Sequence, residues 1–138
     1  MYAVLVVVTI DAGLDETSVE DVIQTEDRIV SQWREISADE RHQLRDEFNA
    51  ILRPLGLQTR LVVVERANSL AVYFICMTLS ALMSLRDQWR SQQLRDVIAS
   101  LFTFLYNLRV VVRRLTWPMT DYKRCLAFYN EQSKQTIQ

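Results

Sequence analysis

The chain has 138 residues, of which only two are Gly and two are Pro, so it has little of the turn-forming composition that phosphate-binding loops need. Hydrophobic residues make up 49% and charged residues 24%, a balance typical of a folded domain rather than a disordered segment. Sixteen basic and seventeen acidic residues leave a net charge of -1, so a general attraction to nucleic acid or to an anionic membrane is not expected.

The first part of the chain predicts a strand followed by two helices. Residues 3–10 are a continuous apolar run rich in β-branched side chains, which is typical of a strand that is apolar on both faces. From Asp15 to Ile36, apolar residues recur at three- and four-residue steps after an acidic start, which predicts a helix. Ser37 and Glu40 have the spacing of a capping box, so we expect a second helix to begin there and to end near Pro54.

The second part predicts a hairpin, a helical region, a strand and a last helix. Residues 58–66 and 70–77 are β-rich runs joined by a short turn, which indicates a hairpin. The apolar stripe from Leu82 to Leu105 fits either two helices or one kinked helix. Residues 108–115 predict the fourth strand, and a helix then runs to Tyr129.

This element order reduces to βαββαβ once the extra helix is set aside. We therefore expect an α+β fold, a ferredoxin-like α/β sandwich in which a four-stranded antiparallel sheet has helices packed on one face. A single interaction domain is expected over residues 1–129, and residues 130–138 are interpreted as a polar tail or the start of a linker.

Alternation along the strands predicts which side chains face the helices and which face outward. The core side is expected to take Leu5, Val7, Val62, Val64, Val72, Phe74, Val110 and Val112. The opposite parity exposes Val8, Ile75 and the candidate partner-binding residues, which are Val4, Val6, Leu61, Val63, Glu65, Ala71, Tyr73, Arg109, Val111 and Arg113. Two explanations of so apolar a face stay open: the helix predicted at residues 15–36 covers it, or it binds a partner.

Catalytic and metal-binding patterns are not visible in the sequence. Cys76 and Cys125 are far apart in apolar segments and are expected to be buried, reduced thiols. His42 is interpreted as a solvated side chain rather than a general base. Tyr73 alone could stack on a base, so nucleic-acid binding by the sheet is not expected. We expect no enzymatic activity, no metal and no cofactor.

Two alternative functions remain open at the level of sequence. Fourteen of the sixteen basic residues are Arg, and a regulatory or oligomerisation module could bind a small anionic ligand through them. We nevertheless expect Arg86, Arg90, Arg95 and Arg109 to lie on a solvated helix face and a strand edge. Residues 67–85 carry no charge over the length of a membrane span, but their scattered polar residues argue against a membrane location.

A family resemblance adds to this picture. It rests on residues 61–72 of the hairpin, on residues 85–90 and 93–101, on the strand at 108–112 and on Arg124-Cys125-Leu126 in the last helix. In the order of these features the chain resembles the N-terminal domain of the TNF-receptor-associated death-domain (TRADD) adaptors.

This resemblance implies a cytoplasmic, non-enzymatic adaptor in apoptosis and NF-κB signalling. The partner would be a TRAF-C-like domain bound to the sheet face, or a second copy of the chain. The family presents two aromatic residues on its first strand at the positions of Val4 and Val6, and its hairpin contacts match Glu65, Ala67 and Ala71. It also implies a death domain after the polar tail.

Overall fold

The structure is a computed structural model that describes the backbone of residues 3–11 and 19–137 and the side chains of residues 3–10 and 20–131. Within these ranges the strands are β1 Ala3–Asp11, β2 Thr59–Arg66, β3 Leu70–Cys76 and β4 Val111–Thr116. The helices are α1 Val19–Ala38, α2 Arg45–Leu52, α3 Leu79–Arg90, α4 Gln93–Tyr106 and α5 Met119–Ile137. A 3-10 turn at Arg53–Leu55 follows α2 directly.

The four strands form one antiparallel sheet in the order β2-β3-β1-β4. From β1 the chain passes through α1 and α2 to the edge strand β2, and the hairpin returns it to β3 beside β1. It then passes through α3 and α4 to β4 at the other edge. The prediction of an α+β fold with a four-stranded antiparallel sheet is thereby confirmed.

The core lies between one side of the sheet and the helices. Val4, Val6 and Val8 of β1 are fully buried in one cluster with Ile29 of α1 and Leu82 of α3. Full burial of a Val or Leu side chain stabilises the fold by roughly 1.5–3 kcal/mol, so this layer accounts for most of the stability that packing can supply.

Helix α1 belongs to this same layer. Its residues Ile29, Val30 and Ile36 are buried in the common core, and the helix packs against α4 and β2. It therefore lies on the helical side of the sheet and does not cover the opposite face. Residues 15–18, with which the predicted helix begins, lie outside the described residues.

The helical region after the hairpin consists of two helices. Thr78 caps the start of α3, because its Oγ1 accepts a hydrogen bond from the Ala81 N–H at 3.1 Å. Gln92, with a φ of 71°, separates α3 from α4, and Asn107, with a φ of 66°, ends α4. A left-handed backbone at these residues cannot continue a right-handed helix, which decides between the two alternatives.

The predicted capping box at Ser37 is wrong. Helix α1 continues through Ala38, where the Ser37 hydroxyl donates to the carbonyl of Arg34, and α2 begins only at Arg45. Between the helices, Asp39 Oδ1 accepts the Arg41 N–H and His42 Nδ1 accepts the Leu44 N–H. These short-range bonds form turns where the sequence predicts a helix start.

The last helix also extends beyond its predicted end. Helix α5 continues through Ile137, so residues 130–137, interpreted from sequence as a polar tail, have helical backbone. Of its described side chains, those of Cys125 and Tyr129 are buried in the core.

Candidate interaction surface

The side of the sheet that faces away from the helices is here called the outer face. Residues directly opposite each other in neighbouring strands point to the same side of a sheet, so the register identifies its members. One row runs from Val63 through Tyr73 to Leu5, and the next from Glu65 through Ala71 and Val7 to Thr116. Further pairs on this face are Arg60 with Ile75, Ala3 with Ile75, and Thr9 with Arg114, and Val111 lies on the same face beyond Arg114.

The centre of the outer face is apolar and separate from the core. Leu5, Val7, Val63, Tyr73 and Ile75 are each only half-buried. None of them packs against the core cluster, although partly buried apolar side chains on the helical side do so. The outer face therefore presents a contiguous apolar centre that no described helix covers.

Ala71 lies in the middle of this centre. It is only 3% exposed, yet it is not part of the core cluster. Its neighbours across the sheet, Glu65 and Val7, leave a methyl group with little contact to solvent. Ala71 therefore forms a shallow floor between larger side chains.

Polar and charged side chains border the apolar centre on both sides. Arg60 and Glu65 lie on the β2 side, and Thr9, Arg113 and Arg114 line a cavity of about 330 Å³ on the β4 side. An apolar centre with a polar rim is typical of protein–protein interfaces, and the rim here is largely basic.

Tyr73 links the apolar centre to this rim. Interaction of its hydroxyl with the nearby Glu65 carboxylate raises the pKa of Tyr73 above its ordinary value. Burial and the negative charge of Glu65 raise this pKa further. The neutral phenol thus presents an apolar ring and a polar hydroxyl at the centre of the face.

The predicted facing of β1 is wrong. Val4, Val6 and Val8 point into the core, and Leu5 and Val7 point outward. An all-apolar strand has no alternation from which to choose, so its parity could not be assigned from apolar residues alone. Thr9, the polar residue in this run, shares its face with Leu5 and Val7 and was the available signal.

The predicted facing of β2 is wrong at two positions. The register shifts between Leu61 and Val63, so an extra residue, Val62, enters the strand. Leu61 therefore lies opposite Phe74 and packs against the core, whereas Val62 does not. A bulge of this kind inverts the parity of everything that precedes it.

The remaining candidate residues are divided between two places. Val63, Glu65, Ala71, Tyr73 and Val111 lie on the outer face, and Arg113 is exposed at its β4 rim. Arg109 precedes β4 and lines a groove of about 540 Å³ between that strand and α4. Leu5, Val7, Arg60 and Arg114 belong to the outer face and are absent from the predicted set.

Arg86 does not lie on the solvated helix face expected for it. It is 3% exposed, and its guanidinium carbon lies 4.3, 5.0 and 4.6 Å from the ring centres of Trp89, Trp117 and Tyr122. Its Nη1 donates to the Trp117 carbonyl at 3.2 Å. Burial, and then the neighbouring Arg90, lower the pKa of Arg86. This cation–π packing joins α3 to α5 and leaves Arg86 unable to meet a ligand at the surface.

Arg95 is likewise engaged within the fold. Its Nε and Nη2 both donate to the carbonyl of Val112, at 3.0 and 2.6 Å. The groove that it lines with Arg109 also contains Asp96. Neither Arg86 nor Arg95 is therefore free for the anion binding considered from the sequence.

The two cysteines are buried and free, as predicted. Burial raises the pKa of Cys76 to about 11 and that of Cys125 to about 12, which makes both thiols poor nucleophiles. Within residues 3–11 and 19–137, the structure brings together no group of three potential metal ligands. None of the described helices combines the length and the apolar character required to cross a membrane.

Neither protein-family descriptions, nor curated proteins, nor solved structures provide a match to this chain.

Proposed function

We propose that this chain is a protein-interaction domain that binds a partner domain through the outer face of its sheet. One observation carries the proposal: five half-buried apolar side chains lie together on this face and none contacts the core. Water contact with such a patch is unfavourable, and burying it against a partner would release roughly 25 cal/mol for each Å² of apolar area.

The proposal includes a ferredoxin-like βαββαβ sandwich as the supporting fold. The strand order β2-β3-β1-β4, with helical crossovers after β1 and β3, supports it. In such an arrangement the helices occupy one side of the sheet, and the other side is available for binding.

The proposed partner class is the TRAF-C-like domain that the resemblance to death-domain adaptors implies. The outward positions on β1 here are Leu5 and Val7, so the aromatic anchor on this face is Tyr73 of β3. Because Arg60 and Arg114 border the apolar centre, the matching surface would carry an apolar centre with acidic residues around it.

A binding measurement with purified TRAF-C domains tests this function. We expect the wild-type chain to bind and Val7→Asp to weaken binding by roughly 10-fold or more, because a charge would be desolvated at the centre of the interface. Ser100→Asp, at an exposed position on α4, is the matched control and should bind like the wild type.

Two results would count against the proposal in different ways. Equal binding by the wild type and Val7→Asp would exclude the outer face. Failure of every TRAF-C domain to bind the wild type would exclude this partner class.

A further inference from the structure

The edge of the sheet at β4 is closed by side chains from the helices. Trp89 Nε1 donates to the Leu115 carbonyl at 3.2 Å, and the Arg95 guanidinium donates twice to the Val112 carbonyl. Just before the strand, the Val110 N–H donates to Thr103 Oγ1 at 3.1 Å. These bonds occupy backbone groups that an added strand would need.

The opposite edge, β2, has no such protection from the described residues. The Ala67 N–H donates to the Ser69 carbonyl where the hairpin closes, and the ladder then alternates along the strand. Val64 and Arg66 consequently direct their backbone N–H and C=O groups away from β3. The side chains of Arg45, Gln88 and Arg95, which donate to backbone carbonyls, bind at Ile36, Pro54 and Val112 and so outside β2. This edge can therefore accept another strand.

The bulge makes the facing pattern of β2 symmetric. Arg60 and Glu65 face outward, whereas Leu61 and Val64 face the core. Between them, Val62 and the outward Val63 oppose the single residue Tyr73, and Val62 does not pack against the core. Because Val62 does not pack against the core, we infer that it faces outward with Val63. From residue 60 to residue 65 the order is then outer, core, outer, outer, core, outer, which is the same in both directions.

A second copy of β2, antiparallel to the first, would match this pattern at every position. Arg60 would lie opposite Glu65, Leu61 opposite Val64, and Val62 opposite Val63, with each pair on one face. Because the contact is self-complementary, a two-fold axis relates the two chains and the assembly closes as a dimer.

The charges favour the same register. Arg60 is exposed and has no hydrogen bond or ion pair among the described residues. Glu65 interacts with the Tyr73 hydroxyl, and its carboxylate can accept several hydrogen bonds. In the paired strands each Arg60 meets the Glu65 of the other copy, and opposite charges placed directly across two strands stabilise the pairing.

We propose that two copies of this chain dimerise through their β2 edges into one antiparallel eight-stranded sheet. The dimer extends the outer face across both copies and leaves the β4 edges at its ends. It involves a surface different from the centre of the outer face, so it does not depend on the proposed partner.

Sedimentation velocity on the purified chain over a wide concentration range tests the dimer. We expect Arg60→Glu and Glu65→Arg each to weaken dimerisation by about 10-fold, since each places like charges opposite one another twice. An equimolar mixture of the two variants should dimerise again, because both ends of the mixed pair then place a carboxylate of one variant opposite a guanidinium of the other. Circular dichroism of each variant checks that the fold is retained.

Arg114→Glu is the matched control, because it makes the same charge change at the other side of the outer face and should leave dimerisation unchanged. A wild-type chain that is monomeric at every concentration would overturn the proposal. So would a mixture of variants that stays monomeric, or a dimer abolished by Val7→Asp and insensitive to both charge changes, since that dimer would associate through the centre of the outer face.

Discussion

Val6 and Val7 are neighbours in the same strand, yet they lie on opposite sides of the sheet. Val6 is fully buried under the helices, whereas Val7 lies half-buried on the outer face between Ala71 and Thr116. The same side chain thus contributes to folding in one place and to a candidate binding surface in the other. Apolar character alone therefore does not separate core from interface.

The largest expected effect on stability is that of an Asp substitution at Val6, compared with the same substitution at Val7. Val6→Asp should lower the free energy of unfolding by about 4 kcal/mol or more, because it places a carboxylate in the core without a partner. Val7→Asp should cost about 1 kcal/mol, since its side chain can reach water. Urea denaturation followed by circular dichroism measures both. Similar losses of unfolding free energy in the two variants would contradict the assignment of Val6 to the core and Val7 to the outer face.

An intermediate effect is expected from alkaline pH, through ionisable groups on the core side. The pKa of Cys76 is about 11 and that of Cys125 about 12 in the folded chain, against 9.0 for an ordinary thiol. The folded state therefore holds these protons more tightly than the unfolded state. The associated stability is complete below pH 9 and is lost as the pH rises through 11 and 12.

The measurement is the free energy of unfolding as a function of pH. Each buried thiol should contribute a decline of up to about 1.4 kcal/mol per pH unit between its unfolded and its folded pKa. Cys125→Ala should reduce the slope, and comparing slopes removes the constant cost of the missing sulfur atom. An unchanged slope in Cys125→Ala would show that its thiol ionises as readily in the folded chain as in the unfolded one.

The smallest effects on stability are expected from Phe substitutions at two tyrosines, one on each side of the sheet. The Tyr129 hydroxyl donates to the Cys76 carbonyl in the core, so Tyr129→Phe leaves a buried acceptor unpaired and should cost about 1–3 kcal/mol. The Tyr73 hydroxyl lies near Glu65 on the outer face, where water can take its place, and Tyr73→Phe should cost less than about 1 kcal/mol. Thermal unfolding of both variants gives the order, and a larger loss in Tyr73→Phe would contradict the assignment of the faces.

Much of the candidate surface could have been found in the sequence with a different choice of signal. Thr9 shares the outer face with Leu5 and Val7, so the polar residue in β1 identifies the outward parity. Arg60 and Glu65 are five positions apart, an odd spacing that places both on one face only if the strand contains a bulge. The burial of Arg86 could not have been predicted, because the rings that surround it come both from Trp89 of α3 and from Trp117 and Tyr122, which are distant from α3 in sequence.

By itself the sequence determined the order and type of the elements, apart from the choice between one helix and two after the hairpin, because the period of apolar residues reports the local backbone geometry. It also determined the antiparallel hairpin and the burial of the cysteines. Only the tertiary structure decided which valines of β1 are core, since the two faces of an all-apolar strand are chemically alike until helices cover one of them. The bulge in β2 and the closing of the β4 edge by helical side chains also depend on contacts between elements distant in sequence.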